Sequence, residues 1–277
     1  MPDRIRPGAG RLITYSVLTL GALLAVVPFA WELSTAFKSL GESIQVPPVW
    51  LPAHPRWHSF AMVFDNAPFA RQFANTVVMA IGRTTGQLLL CSLAGYAFAR
   101  LAFPGRRILF GVLLSILMVP SQLFIIPQYR IMQELGWLNS LQALIVPGIF
   151  SAFGTFLLRQ YFLGLPNELG EAAELDGCGP LRTYWHIYLP LARPGMIALG
   201  VLTLLWSWND LLWPLIVNTD PRQMTLSAGL ASLKGQYLTN YPVLMAGAVM
   251  ATLPMIVVFA VLQRQVVEGV ASTGTKG

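Results

Sequence analysis

The chain has 277 residues, of which 55% are hydrophobic and only 11% are charged, and its formal net charge is +6. Soluble globular domains carry about 25% charged residues, so this chain has too few charges to cover the surface of a soluble fold. Its aromatic and aliphatic content excludes a disordered chain. The chain has only two cysteines, Cys91 and Cys178, which excludes a disulfide-rich scaffold, and neither belongs to a recognisable motif.

Six long apolar stretches dominate the chain, and each is long enough to cross a bilayer as a helix of about 20 residues. Lipid offers the backbone no hydrogen-bond partners, so only helices and closed barrels can span it. Runs that are long, rich in Leu and Ala and without alternation favour helices. The predicted spans are residues 12–31, 73–99, 108–126, 141–162, 196–217 and 243–262. The expected fold class is therefore an all-α polytopic membrane protein with six transmembrane helices.

The distribution of Lys and Arg predicts the orientation, because cytoplasmic loops carry an excess of these residues. With the N-terminus inside, eleven of them fall on inner segments and six on outer segments, and Arg83 remains inside the second span. Both termini are therefore expected in the cytoplasm, as tails of residues 1–11 and 263–277 around a membrane domain of residues 12–262. The first apolar run is longer than that of a signal peptide and lacks a clear cleavage site, so a retained anchor is expected. The basic residues do not cluster, so no nucleic-acid partner is expected.

The most informative stretch is the predicted cytoplasmic loop of residues 164–195, between the fourth and fifth spans. Asn167 is a candidate N-cap for a helix over residues 168–176, and Gly177 suits the left-handed position that ends many helices. A helix of about 13 Å is marginal by itself in water, so another surface is expected to hold it. Four of the twelve acidic residues lie here, namely Glu168, Glu171, Glu174 and Asp176. This pattern fits a docking surface for a partly basic protein, or equally a solvated helix that caps the bundle.

This loop resembles the EAA motif of permease subunits in binding-protein-dependent ABC importers. The resemblance rests on Glu171-Ala172-Ala173, on Gly177 after three intervening residues, and, after nine more, on Ile187 with Leu189-Pro190. Other segments are similar to maltose-type permeases, specifically to the shorter six-span partner: residues 94–101, 103–106, 208–210 and 247–264, with Pro214. Arg83 departs from the pattern, because an apolar or small residue is expected at its position.

The resemblance implies a type I ABC importer permease fold in a bacterial inner membrane. The implied partners are a second permease subunit in a heterodimer, two ATPase subunits and an extracytoplasmic binding protein that delivers a sugar. The loop helix would insert into a groove on an ATPase subunit. The implied coupling residues are Glu171, Ala172, Ala173, Asp176, Gly177, Ile187, Leu189 and Pro190.

No chemistry is expected of this chain itself. It contains no phosphate-binding GxxxxGK[ST] sequence and neither an HExxH nor a GxSxG sequence, which argues against an ATPase, a metalloprotease or a serine hydrolase. We therefore expect no enzymatic activity, no metal and no cofactor bound by this chain, with ATP hydrolysed by the partner subunit.

Two ionisable residues, Arg83 and Asp210, lie inside predicted spans, where charges indicate functional sites. Counted from the outer ends of their spans they lie roughly 15 Å and roughly 10 Å deep. We predict that they pair in the bundle or face an aqueous cavity; alternatively, Asp210 orders the end of its span through neighbours such as Asn209. Trp208 and Asn209 complete the candidate translocation path, because aromatic rings pack on sugars and amides bind hydroxyl groups. For any single Trp the alternative is packing or an outer aromatic belt.

An alternative function is a secondary transporter or channel that works without an ATPase. Such proteins place carboxylates and broken helices near the middle of the membrane. That pattern is weak here, and it would leave the acidic cytoplasmic helix without a purpose. A membrane-embedded enzyme would need a nucleophile with its base, or a metal site, and the sequence indicates neither.

Overall fold

A computed structural model describes residues 9–234 and 239–274, so parts of both predicted tails, residues 1–8 and 275–277, lie outside the described residues. The described residues are helical or irregular and include no strand, which confirms the all-α class. The α-helices found in these ranges are α1 (Ala9–Ala36), α2 (Leu40–Ser43), α3 (His58–Asn66), α4 (Phe69–Arg100), α5 (Arg106–Ser115), α6 (Ile125–Glu134), α7 (Leu141–Ile145), α8 (Ala152–Leu163), α9 (Glu168–Leu175), α10 (Pro180–Thr183), α11 (Leu189–Leu191), α12 (Arg193–Trp208), α13 (Leu212–Val217), α14 (Leu226–Ser232) and α15 (Tyr241–Gly274). Short 3-10 turns cover Ile116–Met118, Ser121–Phe124 and Val146–Gly148, and a π-helix covers Tyr184–Tyr188.

Three stretches in the described part of the chain are apolar and long enough to cross a membrane as unbroken helices: Ile13–Ala36, Phe69–Arg100 and Tyr241–Val261. Three pairs of shorter helices would each cross as one bent span: Arg106–Met118 with Ser121–Glu134, Leu141–Gly148 with Ala152–Leu163, and Pro180–Leu191 with Arg193–Trp208. If each bent pair is one span, the total reaches six, in agreement with the predicted number.

The prediction of continuous helices for the third and fourth spans was wrong. In the third, Pro120 disfavours helical backbone at the preceding residue; Val119 is extended (φ −93°, ψ 126°), and the flanking helices meet at 99°. In the fourth, Pro147 lies in a 3-10 turn, Ser151 is extended (φ −144°, ψ 131°), and the helices meet at 40°. Both breaks therefore begin at a proline.

The predicted fifth span, residues 196–217, is also interrupted. Helix α12 ends at Trp208 and α13 begins at Leu212. The cause is Pro214, because a proline ring inside a helix clashes with the carbonyl group four residues earlier, here that of Asp210. The break leaves Asp210 outside regular helix, with consequences for the site described below.

The chain divides into two compact units, of which the first contains residues up to Ala67 together with Leu230–Leu253. In this unit a reciprocal capping box holds α2: the Ser39 amide donates to Glu42 Oε2 at 2.7 Å, and the Glu42 amide donates to Ser39 Oγ at 3.3 Å. The Ala53 amide donates to the other carboxylate oxygen at 3.0 Å. These hydrogen bonds lower the pKa of Glu42 to about 2 and pin the proline-rich segment that follows α1.

The second unit contains Pro68–Gly229 and the chain from Pro254 onward. Its central element is α4, which packs most extensively on α8 and α12. The 32 residues of α4 span about 48 Å, so the helix extends beyond a hydrocarbon core of about 30 Å. One apolar cluster joins α4 to α8 and to the segment after α9 (Cys91, Tyr96, Ala99, Leu158, Phe162, Tyr184, Tyr188, Ala192 and Leu199). A second joins it to the broken helices (Met79, Met132, Ala143, Leu144, Trp213 and Val217).

Candidate functional site

The predicted loop helix is present as α9, Glu168–Leu175, and ends one residue earlier than expected. Gly177 has φ +76°, which confirms the predicted left-handed residue. The Gly177 amide donates to the Glu174 carbonyl at 2.9 Å, and the Cys178 amide donates to the Ala173 carbonyl at 2.8 Å. These two bonds form a complete Schellman motif, so the chain leaves α9 in a sharply defined direction.

Asn167 occupies the predicted N-cap position, but its side chain does not cap the helix. Its backbone is helical (φ −71°, ψ −32°), whereas an N-cap residue needs an extended conformation, and its side chain caps no amide. Its Oδ1 instead accepts a hydrogen bond from Arg100 Nη1, at the end of α4. The side-chain oxygen that would cap α9 therefore accepts a hydrogen bond from Arg100 of α4 instead.

The surface of α9 is divided between buried and exposed residues. Ala173 faces inward and is 3% exposed, whereas Ala172 is exposed, so the two alanines do not share one environment as predicted. Two apolar side chains in this part of the chain point away from the bundle, with Leu175 90% exposed and Leu181 68% exposed. The acidic side chains are exposed as well: Glu168, Glu171, Glu174 and Asp176. The segment therefore presents a mixed acidic and apolar surface.

The remaining implied coupling residues lie where the chain returns to the bundle. Leu189 is half-buried and packs against the cluster around Tyr96, and Ile187 is half-buried as well. Pro190 is exposed and lies in the short helix α11 just before α12. These residues therefore lie in the segment that leads from α9 back to α12.

A groove of about 490 Å³ separates α9 from the end of α4. Its lining includes Glu171 and Glu174 of α9 together with Arg100 and Tyr188. The groove therefore brings acidic residues of the loop helix to the same opening as a cation of the second span.

The predicted pair of intramembrane charges is formed. Arg83 Nη1 donates to Asp210 Oδ2 at 2.7 Å, and Arg83 Nε donates to the Leu144 carbonyl at 2.7 Å. The side chains are 10% and 22% exposed respectively. The alternative contact through Asn209 is not used, because the Asn209 side-chain amide donates to the Leu205 carbonyl at 2.9 Å. The break caused by Pro214 frees Asp210 to meet Arg83.

Arg83 and Asp210 line a cavity of about 290 Å³. The other lining residues are Gln87, Gly148, Thr203, Trp206 and Ser207. Gln87 Nε2 donates to the Gly148 carbonyl at 2.9 Å, and Thr203 Oγ1 donates to Gln87 Oε1 at 2.9 Å. Gln87 and Thr203 were not among the predicted site residues. The signal was present, since Gln87 lies four residues after Arg83 and therefore on the same face of α4.

Two of the candidate path residues lie elsewhere. Trp208 is 9% exposed and packs edge-on against Phe73, with ring centroids 5.8 Å apart. Asn209 is exposed but bonds its own helix. Trp206, which is 54% exposed, is the tryptophan that lines the cavity. The tryptophan at this cavity is thus two residues before Trp208 in the chain.

Comparisons with known proteins match nearly the whole chain. Residues 88–272 match the family model described as binding-protein-dependent transport system inner membrane component. The diacetylchitobiose uptake system permease protein of Streptomyces coelicolor is 34% identical over 95% of this chain and 88% of its own length. The arabinooligosaccharides transport system permease protein of Halalkalibacterium halodurans is 35% identical over 94% and 96%. The sn-glycerol-3-phosphate transport system permease protein of Yersinia enterocolitica is 31% identical over 95% and 96%.

Solved structures give the same fold. A chain of a bacterial ABC transporter that imports the acidic polysaccharide alginate has a TM-score of 0.81 and 22% identity, over 95% of this chain and 99% of that one. A chain of the alginate transporter in complex with its pentasaccharide-bound periplasmic protein has a TM-score of 0.62 and 13% identity, over the same shares. At these identities the likeness establishes the fold alone.

Proposed function

Because this chain belongs to the family of binding-protein-dependent transport system inner membrane components, we propose that it forms half of the translocation pathway of an ATP-driven carbohydrate importer. Membership of this family favours the importer over a transporter that works without an ATPase. The carbohydrate class is supported by the relatives named for diacetylchitobiose and for arabinooligosaccharides. The family is one of transport permeases, in which this chain moves a solute while another subunit hydrolyses ATP.

The observation that carries the coupling role is the surface of α9. Leu175 and Leu181 expose apolar side chains on the segment that also carries four exposed carboxylates, and a Schellman motif fixes the direction of the chain between them. Exposed apolar groups rimmed by charge are typical of a protein interface. The proposed occupant of this surface is a cytoplasmic ATPase subunit that presents basic residues around an apolar groove.

The cavity beside Arg83 is the proposed contribution of this chain to the translocation path. It combines an aromatic face from Trp206 with the polar side chains of Gln87, Thr203 and Asp210. Ligand sites in transporters are built at breaks in spanning helices near the middle of the membrane, and this cavity lies at two such breaks. A second permease subunit would supply the opposite wall.

The complete assembly that we propose contains this chain, a second permease subunit, two ATPase subunits and an extracytoplasmic binding protein. Both termini and α9 lie on the cytoplasmic side, as the distribution of Lys and Arg indicates. The ATPase subunits come together when they bind ATP, and they move α9 as they do so. The closed ATPase dimer contacts one conformation of the membrane domain better than the other, and it therefore shifts the equilibrium between them.

Co-purification from membranes tests the coupling role. Glu171→Lys should leave the protein inserted in the membrane but lower the amount of ATPase recovered with it, because it reverses one charge on the docking surface. Asp65→Lys is the matched control, since Asp65 is also an exposed carboxylate but lies on α3. It should not change ATPase recovery.

Solute uptake in cells that express the complete importer provides the second measurement. Glu171→Lys should lower uptake in proportion to the ATPase lost, and Asp65→Lys should transport normally. Full ATPase recovery and full uptake by Glu171→Lys would exclude the proposed docking surface.

A further inference from the structure

We infer that Arg100 is the positioning residue that transmits movement of the loop helix α9 to the second span, α4. This inference rests on the proposed function, since it assumes that an ATPase moves α9. It adds the route inside this chain by which that movement reaches the cavity at Arg83. The route has three parts, namely the guanidinium group of Arg100, an aromatic cluster beneath it and the unbroken helix α4.

The guanidinium group of Arg100 gathers the segment that leads into α9. Arg100 is the last residue of α4. Its Nη2 donates to the carbonyl groups of Phe162 and Leu165, and its Nη1 donates to Asn167 Oδ1. These acceptors lie between the end of α8 and the start of α9, so one rigid planar group fixes three points of the connection to the end of α4.

The aromatic ring of Tyr188 closes the other face of this group. The Arg100 guanidinium carbon lies 4.9 Å from the Tyr188 ring centroid, at a distance suited to a cation–π contact. Tyr188 is 2% exposed and packs on Tyr96 of α4, with ring centroids 5.4 Å apart, and on Phe162 at 6.4 Å. Tyr96 Oη also donates to the Pro180 carbonyl at 3.1 Å, just beyond the turn that ends α9. The α4 helix thus holds the loop both before and after α9.

Helix α9 lies directly on Tyr188. A Cβ atom at Gly170 would lie 2.7 Å from Tyr188 Oη, which is closer than two such atoms approach, so glycine permits this contact. Ala173, one turn later, is buried. The loop helix therefore rests on the same aromatic ring that Arg100 covers, and a displacement of α9 acts on that ring.

The α4 helix can transmit a displacement along its length because it is continuous, whereas the helices that pack on it are interrupted. Arg83 lies 17 residues before Arg100, or about 26 Å along the helix axis. There Arg83 bonds to the Leu144 carbonyl of α7 and to Asp210 at the break before α13, and Gln87 bonds to Gly148 at the break between α7 and α8. A shift of α4 therefore acts on each of these break-point contacts together, and these contacts line the cavity.

Cysteine labelling in the complete importer tests the inference without knowledge of the solute. Trp206→Cys places a thiol at the cavity, and Cys178→Ser removes the partly exposed native thiol, while Cys91 is 0% exposed. The rate of labelling by a water-soluble maleimide is measured without nucleotide and after trapping with ATP and vanadate. We expect a several-fold change in that rate in this parent protein. Adding Arg100→Ala should abolish the change while ATPase subunits still co-purify.

Arg100→Lys separates the proposed role from a simple need for charge. The ammonium group cannot hold three acceptors in the plane of a guanidinium fork, so it should not restore the nucleotide-dependent change. Arg107→Ala is the matched control, because it removes an exposed arginine near the same end of α4 and should label like the parent. If Arg100→Ala lowers the amount of folded protein, Asn167→Ala removes only one acceptor and should halve the change or more.

An unaltered nucleotide response in Arg100→Ala, or a full response in Arg100→Lys, would overturn the inference while leaving the docking role intact. A parent protein that binds ATPase but shows no response would overturn the route to the cavity. A parent protein that binds no ATPase would instead overturn the proposed function.

Discussion

Arg83 and Asp210 are 127 positions apart in the chain and are joined by a 2.7 Å hydrogen bond between opposite charges. Arg83 lies near the middle of the unbroken helix α4, and Asp210 lies at the break between α12 and α13. An unpaired charge inside a membrane span raises the free energy of the folded protein, because lipid and protein solvate it poorly. The pair therefore holds a broken span against an unbroken one and keeps a polar cavity electrically balanced.

Removing one member of this pair should damage the protein more than removing both. Arg83→Gln or Asp210→Asn leaves a partly buried charge without its partner, and breaking such pairs in proteins costs about 3–5 kcal/mol. The double variant leaves no unpaired charge and should recover part of the loss. The measurement is the fraction of protein that stays monodisperse in detergent after heating. Equal losses in both single variants and the double variant would show that the pair does not contribute to stability.

The turn after α9 should tolerate any residue at position 177 that readily adopts a left-handed backbone conformation, and not glycine alone. At φ +76°, Gly177→Val would force a branched side chain into the left-handed region, which costs roughly 1–2 kcal/mol, whereas Asn adopts that region readily. A Cβ atom at this residue would meet no heavy atom within 4 Å, so steric contact inside the chain is not the cause. Recovery of ATPase with the membrane domain should fall for Gly177→Val and stay near normal for Gly177→Asn. Equal recovery for both variants would contradict this assignment.

The number of spans and the loop helix could be predicted from the sequence because both depend on local patterns. Long apolar runs give the spans, and Gly177 followed by Pro180 gives the end of α9. The breaks were missed because hydrophobicity averaged over a span does not register one residue. Yet Pro120 and Pro214 were visible in the sequence, and each determines where a helix bends.

The pairing of Arg83 with Asp210 could also be predicted, because the number of residues from the end of a helix gives the depth of a side chain along the helix axis. What local patterns could not give is the choice between neighbours on one helix. Trp206 and Trp208 look alike in sequence, but only the packing of α12 on α4 decides which one is buried. Similarly, Asn167 has the sequence context of a cap, but Arg100, 67 positions earlier, binds its side-chain oxygen.

The carboxylate of Glu42 should remain ionised well below the usual range. Hydrogen bonds from the Ser39 and Ala53 amides lower its pKa to about 2 from an ordinary value of 4.5. Because the folded pKa is the lower one, the stabilisation that the ionised carboxylate gives to the segment after α1 is complete above pH 4.5 and is lost as the pH falls toward 2. Carbon-13 titration of the Glu42 carboxyl carbon would measure this pKa directly. A midpoint near 4.5 would contradict the capping box.

Replacing Trp208 should lower the stability of the protein, whereas replacing Trp206 should affect solute uptake. Trp208→Ala removes a ring that is 9% exposed and packed against Phe73, and such truncations in a core cost about 3–5 kcal/mol, so the melting temperature should fall. Trp206→Ala removes a ring that is 54% exposed at the cavity, so the melting temperature should change little. If the cavity contacts the solute, Trp206→Ala should raise the solute concentration needed for half-maximal uptake at normal protein abundance. The reverse result, with stability lost in Trp206→Ala and uptake altered in a stable Trp208→Ala, would move the translocation path to the other side of α12.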